Sequence, residues 1–105
     1  MNLRTDDSME AGNADVTLAI ELVIIGRVQG VGFRHSTVGA AERFGVRGYV
    51  RNAVDGSVIV HAEGESAALE SFAAWCARGP ALARVDRVLR RASQPQGLVD
   101  FRVKH

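Results

Sequence analysis

The sequence has little cysteine, no long apolar run and no excess of charge of either sign. Its single cysteine, Cys76, cannot form an internal disulfide, which is consistent with a reducing, cytoplasmic location. The longest purely aliphatic run, residues 22–25, is far shorter than the roughly 20 residues that a helix needs to cross a bilayer. Thirteen Lys and Arg face twelve Asp and Glu, and 47% of the residues are hydrophobic. This composition is typical of a globular domain and argues against a wholly disordered chain or a membrane protein.

The first part of the chain differs from the rest in charge. Residues 1–17 hold one arginine and four acidic residues, with few large apolar groups. They lack the apolar centre of a secretory signal, and their acidity is unlike that of a mitochondrial transit peptide. We therefore expect a flexible acidic tail over residues 1–17 and one domain over residues 18–105. That domain holds 12 basic and 8 acidic residues, and its net charge of +4 suits an anionic partner.

The spacing of apolar residues predicts the order β-α-β-β-α-β. Asp55 and Gly56 predict a two-residue hairpin turn in which both residues take positive φ. This order is typical of an α+β fold, a ferredoxin-like sandwich with two helices on one face of an antiparallel sheet of four or five strands. The predicted strands cover residues 18–25, 46–52, 57–63, 84–91 and 98–103, and the predicted helices cover residues 33–44 and 65–78.

A glycine-rich loop, residues 26–32, joins the first predicted strand to the first helix. Its glycines Gly26, Gly30 and Gly32 allow successive backbone N–H groups to turn inward, and a helix N-terminus follows. Such a loop can bind an anion of phosphate size, and Arg34 in the first helical turn could complete it with two parallel hydrogen bonds. By itself the pattern favours an ordinary strand-to-helix connection with a surface arginine, because short glycine motifs often occur by chance.

Two segments together resemble the acylphosphatase family. They are GRVQGVGFR at residues 26–34 and GYVRNAVDGSVIVHAEG at residues 48–64, and the likeness extends over about residues 18–104. The resemblance implies a hydrolase, without metal or other cofactor, that cleaves a small acyl phosphate to a carboxylate and inorganic phosphate. It also implies that inorganic phosphate is a competitive inhibitor.

The resemblance assigns roles to individual residues. Arg34 and Asn52 are the implied catalytic residues, and the implied phosphate-binding residues are Gln29, Gly30, Val31, Gly32, Phe33 and Arg34. The chemistry agrees, because arginine binds phosphate oxygens in pairs and a carboxamide can orient a water without taking its proton. The alternative for Asn52 is a residue at a strand end that makes a hydrogen bond within the turn.

Other reactive side chains do not form a site in the sequence. Cys76 lies on the apolar stripe of the second helix and is followed six positions later by Leu82, where a cysteine phosphatase would need arginine. A run of arginines after residue 83 is typical of an exposed edge strand. The three histidines, His35, His61 and His105, have no metal-ligand spacing. His35 follows Arg34 and fits equally a residue at the mouth of the site or a solvated residue on the helix.

The alternative function is a non-catalytic module that binds RNA or a phosphorylated ligand on the same fold. RNA binding on such a sheet needs aromatic residues on the central strands, and residues 18–26 and 57–63 contain none. We therefore expect no nucleic-acid partner. We also expect a monomer, because no long apolar stripe is left without a partner.

Overall fold

A computed structural model describes residues 16–105 of the chain. The tail expected over residues 1–17 falls mostly on residues outside this range and stays a prediction. No helix of residues 16–105 is long and apolar enough to cross a membrane. The elements are β1 (Leu18–Arg27), α1 (Phe33–Phe44), β2 (Arg47–Asn52), β3 (Val58–Gly64), α2 (Ser66–Arg78), β4 (Arg84–Ser93) and β5 (Phe101–Lys104).

The strands form one five-stranded sheet in the order β4-β1-β3-β2-β5, with both helices on one face. The prediction of a ferredoxin-like α+β fold is confirmed. The sheet is mixed rather than wholly antiparallel, because β5 pairs in parallel with β2 while the other pairs are antiparallel. The reason is topological: β4 runs opposite to β2, and the chain reverses once in residues 94–100 before it reaches the far edge of the sheet.

Alternation along the strands separates the core from the helix-free face of the sheet, which we call the open face. Ile20, Leu22 and Ile24 of β1 are buried against the helices, whereas the residues between them are only half buried. Cys76 of α2 is fully buried in the same core, as its position on the helix predicts. Burial raises the pKa of its thiol, so the group is a packing residue rather than a nucleophile.

The turn between β2 and β3 differs from the predicted hairpin. Only Gly56 takes a positive φ, of 96°, and no residue other than glycine does so in the part of the chain that the structure describes. The connection is five residues long, 53–57, instead of two. The Asp55 carboxylate accepts hydrogen bonds from the N–H and the hydroxyl of Ser57, at 3.0 and 2.7 Å. This side-chain bonding makes a longer turn possible without positive φ at Asp55.

The arginine run lies on β4, which is an edge strand as predicted. Arg90 pairs with Glu70 of α2 and Arg91 with Glu21 of β1, so the exposed edge is charged and partly neutralised by its neighbours. Such charges protect an unpaired strand edge from association with other strands.

A buried polar cluster on the open face was not predicted from the sequence. Nε2 of His61 lies 2.6 Å from Oε2 of Glu63, and the N–H groups of Gln96 and Leu98 donate to the same carboxylate at 2.6 and 3.2 Å. The Glu63 side chain therefore fixes the connection between β4 and β5. Burial raises the pKa of Glu63, but the hydrogen bonds from His61 and the two N–H groups outweigh it, and the net pKa is below its ordinary value.

Replacing Glu63 with glutamine should lower the free energy of unfolding at neutral pH by about 2 kcal/mol, because charged hydrogen bonds are lost in a buried place. The lowered pKa means that the carboxylate contributes fully above its ordinary value of 4.5 and loses this contribution as the pH falls further. Urea unfolding from about pH 6 down to about pH 3 should therefore show a shallower acid dependence for Glu63→Gln. Glu65 is exposed, so Glu65→Gln is the control and should keep the acid dependence of the parent. Equal acid slopes for the parent and Glu63→Gln would contradict the role given to the Glu63 carboxylate.

Candidate active site

The glycine-rich loop presents backbone donors at one edge of the sheet. β1 continues through Arg27, so the irregular part of the loop is residues 28–32. Gly30 and Gly32 have φ of 74° and 77°, in the left-handed region that a side chain disfavours. An added Cβ would meet no atom within 4 Å at either position, so conformation rather than space requires glycine. Within residues 16–105, the N–H groups of residues 29–32 donate to no protein acceptor.

The first turn of α1 is free to bind an anion. Its N-cap is Gly32, which makes no side-chain capping bond, and the first turn contains no acidic residue. The first bond of the helix runs from the Ser36 N–H to the Gly32 carbonyl at 3.0 Å, so the N–H groups before Ser36 have no acceptor within the helix. These donors and the positive end of the helix dipole favour a negatively charged ligand.

A cavity of about 220 Å³ lies against this loop and holds the Arg34 side chain. Arg34 is half buried and has no carboxylate partner within residues 16–105. No Asp or Glu side chain lines the cavity. The lining residues are Val28, Gly30, Gly32, Phe33, Arg34, His35, Asn52, Val103 and His105.

The sheet topology brings Asn52 to this cavity. β1 and β2 flank β3 and are both antiparallel to it, so they run in the same direction and end at the same edge of the sheet. Asn52 follows Val50 by two residues and therefore lies on the face that the helices cover. Its Oδ1 atom is buried and has no hydrogen-bond partner among residues 16–105. Asn52 itself is among the residues that line the cavity.

The alternative role of Asn52 as a turn-forming side chain finds no support in these contacts. In the β2–β3 turn, Ser57 donates side-chain and backbone hydrogen bonds to the Asp55 carboxylate. The other side-chain bonds to this turn are donated by Gln29. Since a buried acceptor without a partner costs about 1–3 kcal/mol, its presence at Asn52 needs an explanation outside the fold.

The structure brings together five of the predicted site residues in the cavity: Gly30, Gly32, Phe33, Arg34 and Asn52. The other two do not line it. Val31 packs against the hydrophobic core, and the Gln29 side chain turns towards the β2–β3 turn. Their predicted role rests on backbone N–H groups and stays a prediction.

Sequence reasoning missed two residues near the end of the chain that also line the cavity. Val103 and His105 reach it because β5 pairs in parallel with β2 beside Asn52. The apolar-polar alternation of the closing segment predicts a strand but does not say which neighbour it pairs with. His35 lines the cavity as well, as one of the two interpretations from the sequence allowed. Residues 16–105 contain no group of three or more His, Cys, Asp or Glu side chains that could bind a metal ion.

Comparisons with known proteins agree with this geometry. The model of the acylphosphatase family matches residues 20–103. An acylphosphatase of a Nocardioides species is 44% identical over 92 residues, which cover 88% of this chain and 93% of the relative. The crystal structure of the acylphosphatase from Bacillus subtilis superposes with a TM-score of 0.81 at 32% identity, covering 84% of this chain and 99% of that one. The acylphosphatase from Coxiella burnetii gives 0.80 at 33%, covering 84% and 93%. The prediction from the two motifs is confirmed, and the chain belongs to the acylphosphatase family of enzymes.

Proposed function

We propose that the chain hydrolyses small acyl phosphates to a carboxylate and inorganic phosphate in the cavity beside the glycine-rich loop. One observation carries the proposal. Gly30, Gly32, Arg34 and Asn52 line a single cavity, and among residues 16–105 the loop N–H groups, the Arg34 guanidinium and the buried Oδ1 of Asn52 have no hydrogen-bond partner. Membership of the acylphosphatase family supports the same chemistry.

The phosphoryl group binds to the loop and to Arg34. Its oxygens accept hydrogen bonds from the N–H groups of residues 29–33, and the planar guanidinium of Arg34 donates two more in parallel. Charge on these oxygens is spread in the loose transition state of phosphoryl transfer, so fixed donors stabilise it without moving. No acidic side chain lines the cavity to oppose this binding.

Asn52 orients the attacking water. Its carboxamide forms a hydrogen bond with the water and directs the water oxygen to phosphorus, opposite the bond to the acyl oxygen. As the new P–O bond forms, the acyl P–O bond breaks and its electron pair leaves with the carboxylate. A water proton passes to a phosphoryl oxygen, which gives dihydrogen phosphate. The carboxylate is a weak base, so its departure needs no general acid.

The alternative, a module that only binds a phosphorylated ligand, would use the same donors but gains nothing from Asn52 Oδ1. A carbonyl oxygen next to a phosphate anion weakens phosphate binding by repulsion. When a water lies between them, the carboxamide can instead orient that water for attack. For an RNA-binding module the aromatic platform is also missing, because the Tyr49 ring lies between His61, stacked at 5.2 Å, and the Lys104 ammonium, 4.0 Å from its centroid.

Benzoyl phosphate provides the direct test. The full chain should release benzoate and phosphate, and inorganic phosphate should inhibit competitively because it occupies the same donors. A protein that binds inorganic phosphate but leaves benzoyl phosphate intact would contradict hydrolysis and favour the binding module.

His35→Asn should retain hydrolysis within about tenfold of the parent, since general-base catalysis contributes 10²–10⁴ and the mechanism uses none. His35 lines the cavity but is exposed. The measurement is kcat for benzoyl phosphate across neutral pH. A thousandfold loss would show that the imidazole takes the proton from water, and the role proposed for Asn52 would be wrong.

We also propose that the chain acts as a monomer in a reducing compartment such as the cytoplasm. The three most exposed large apolar side chains, Val54, Leu82 and Val99, lie on separate loops rather than in one patch. The buried thiol of Cys76 is unpaired in residues 16–105, as reducing conditions favour. Light scattering should give the mass of one chain.

A further inference from the structure

One side chain connects the glycine-rich loop to the turn that follows Asn52. Nε2 of Gln29 donates hydrogen bonds to the carbonyls of Ala53 and Ser57, at 2.8 and 2.9 Å. Both protons of its amide nitrogen are thereby used. Gln29 belongs to the segment that presents N–H groups to the phosphate, and Ala53 is joined to Asn52 by one peptide bond.

The turn also has hydrogen bonds of its own, but these join only residues within the turn. The Ala53 N–H donates to the Ser57 carbonyl at 2.9 Å, and the Gly56 N–H donates to the Ala53 carbonyl at 3.2 Å. Hydrogen bonds from the hydroxyl and the N–H of Ser57 hold the pKa of the Asp55 carboxyl below its ordinary value, so it stays an acceptor at neutral pH. Residue 53 is alanine and offers no polar side chain towards the loop. Gln29 supplies the side-chain bonds that join this turn to the loop.

We infer that Gln29 is a positioning residue, which sets the distance and direction of Asn52 from the bound phosphoryl group. The inference rests on the proposed function and adds a role for a side chain that does not line the cavity. Glutamine suits the task because the two carbonyls need two donors. A glutamate cannot donate to them, and a lysine would place a competing cation beside the phosphate. A displacement of about 1 Å at a reacting group can cost up to 10² in rate, so this tie should affect turnover.

Gln29→Met tests the inference, because methionine keeps the length of the side chain and removes both donors. We expect kcat for benzoyl phosphate to fall by about tenfold or more. We expect KM and the inhibition constant of inorganic phosphate to change by less than about threefold, because the N–H of residue 29 is backbone and remains. Val54→Ala, at the exposed tip of the same turn, is the matched control and should leave kcat unchanged. A rise in KM with unchanged kcat would overturn the inference, because it would place the effect on phosphate binding.

A double-mutant cycle with Asn52→Ala separates positioning from a general effect on the fold. If Gln29 acts through Asn52, Gln29→Met should lower kcat by less than about twofold in the Asn52→Ala background. Equal losses in both backgrounds would overturn the inference and leave the proposed function intact. If Asn52→Ala alone leaves kcat unchanged, the role proposed for Asn52 in the reaction is wrong, independently of Gln29. Thermal unfolding shows whether the variants fold, and Gln29→Leu, which also lacks the donors and carries no charge, should give the same cycle if Gln29→Met does not fold.

Discussion

Arg34→Ala should lower kcat/KM for benzoyl phosphate by at least about 10², the scale that follows the loss of one donor to the transition state. The loss could reach 10³–10⁵, as with arginines that stabilise phosphoryl transfer elsewhere. The reason is that Arg34 is half buried, lines the cavity and has no carboxylate partner among residues 16–105, so its charge is available to the ligand. Inhibition by inorganic phosphate should weaken in parallel, because the same donors bind the product.

The control for Arg34 lies on the same helix. Arg43, in the last turn of α1, is exposed and its guanidinium lies 4.9 Å from the centre of the Phe44 ring. Arg43→Ala removes the same charge at a distance from the cavity and should leave kcat/KM within about twofold, since the charge is screened by solvent. Arg34→Lys keeps the charge but loses the planar pair of donors, so it should recover only part of the activity. Equal losses of kcat/KM for Arg34→Ala and Arg43→Ala would show that net charge alone explains the effect. That result would contradict the catalytic role of Arg34.

The elements with strong periodicity could be predicted because one side of each is buried. In β1 the alternation of Ile20, Leu22 and Ile24 with smaller or polar residues leaves no other arrangement that hides the apolar side. The turn after Asn52 could not be predicted in the same way, since its geometry depends on bonds from Asp55 and from the distant Gln29. Glu63 shows the same limit, because two of the three partners of its carboxylate are backbone N–H groups more than 30 residues away in the chain.

Five of the seven residues predicted for the candidate site line the cavity, whereas their arrangement was less predictable. A glycine-rich segment before a helix is compatible with an anion site, but the local pattern alone favours an ordinary connection, and the role of Arg34 comes from the resemblance to a family. The meeting of Asn52 with this loop depends on β1 and β2 lying on either side of β3, which motif spacing implies only through resemblance to a family. The parallel pairing of β5 with β2, which brings Val103 and His105 to the cavity, has no local signal.

Asn52→Ala should lower kcat for benzoyl phosphate by at least about 10², while the inhibition constant of inorganic phosphate stays within about threefold. The two quantities separate because Asn52 orients the water and does not hold the phosphate. Arg51→Ala is the matched control, because Arg51 precedes Asn52 on β2 but is exposed on the open face of the sheet. It should leave both quantities unchanged. Loss of phosphate inhibition in Asn52→Ala would instead make the carboxamide a phosphate ligand.

For Asn52→Ala we also predict the effect on stability, which should not fall as the activity does. Because Asn52 Oδ1 is buried without a partner among residues 16–105, the fold loses no hydrogen bond at this atom when the carboxamide is removed. Asn52→Ala should therefore keep the free energy of unfolding or raise it by up to about 1 kcal/mol, as the cost of the desolvated acceptor disappears. A residue kept for the fold would behave in the opposite way, with unfolding at lower denaturant and activity nearly intact. An inactive protein that is at least as stable as the parent would mean that Asn52 is retained at a cost to stability because the reaction needs it.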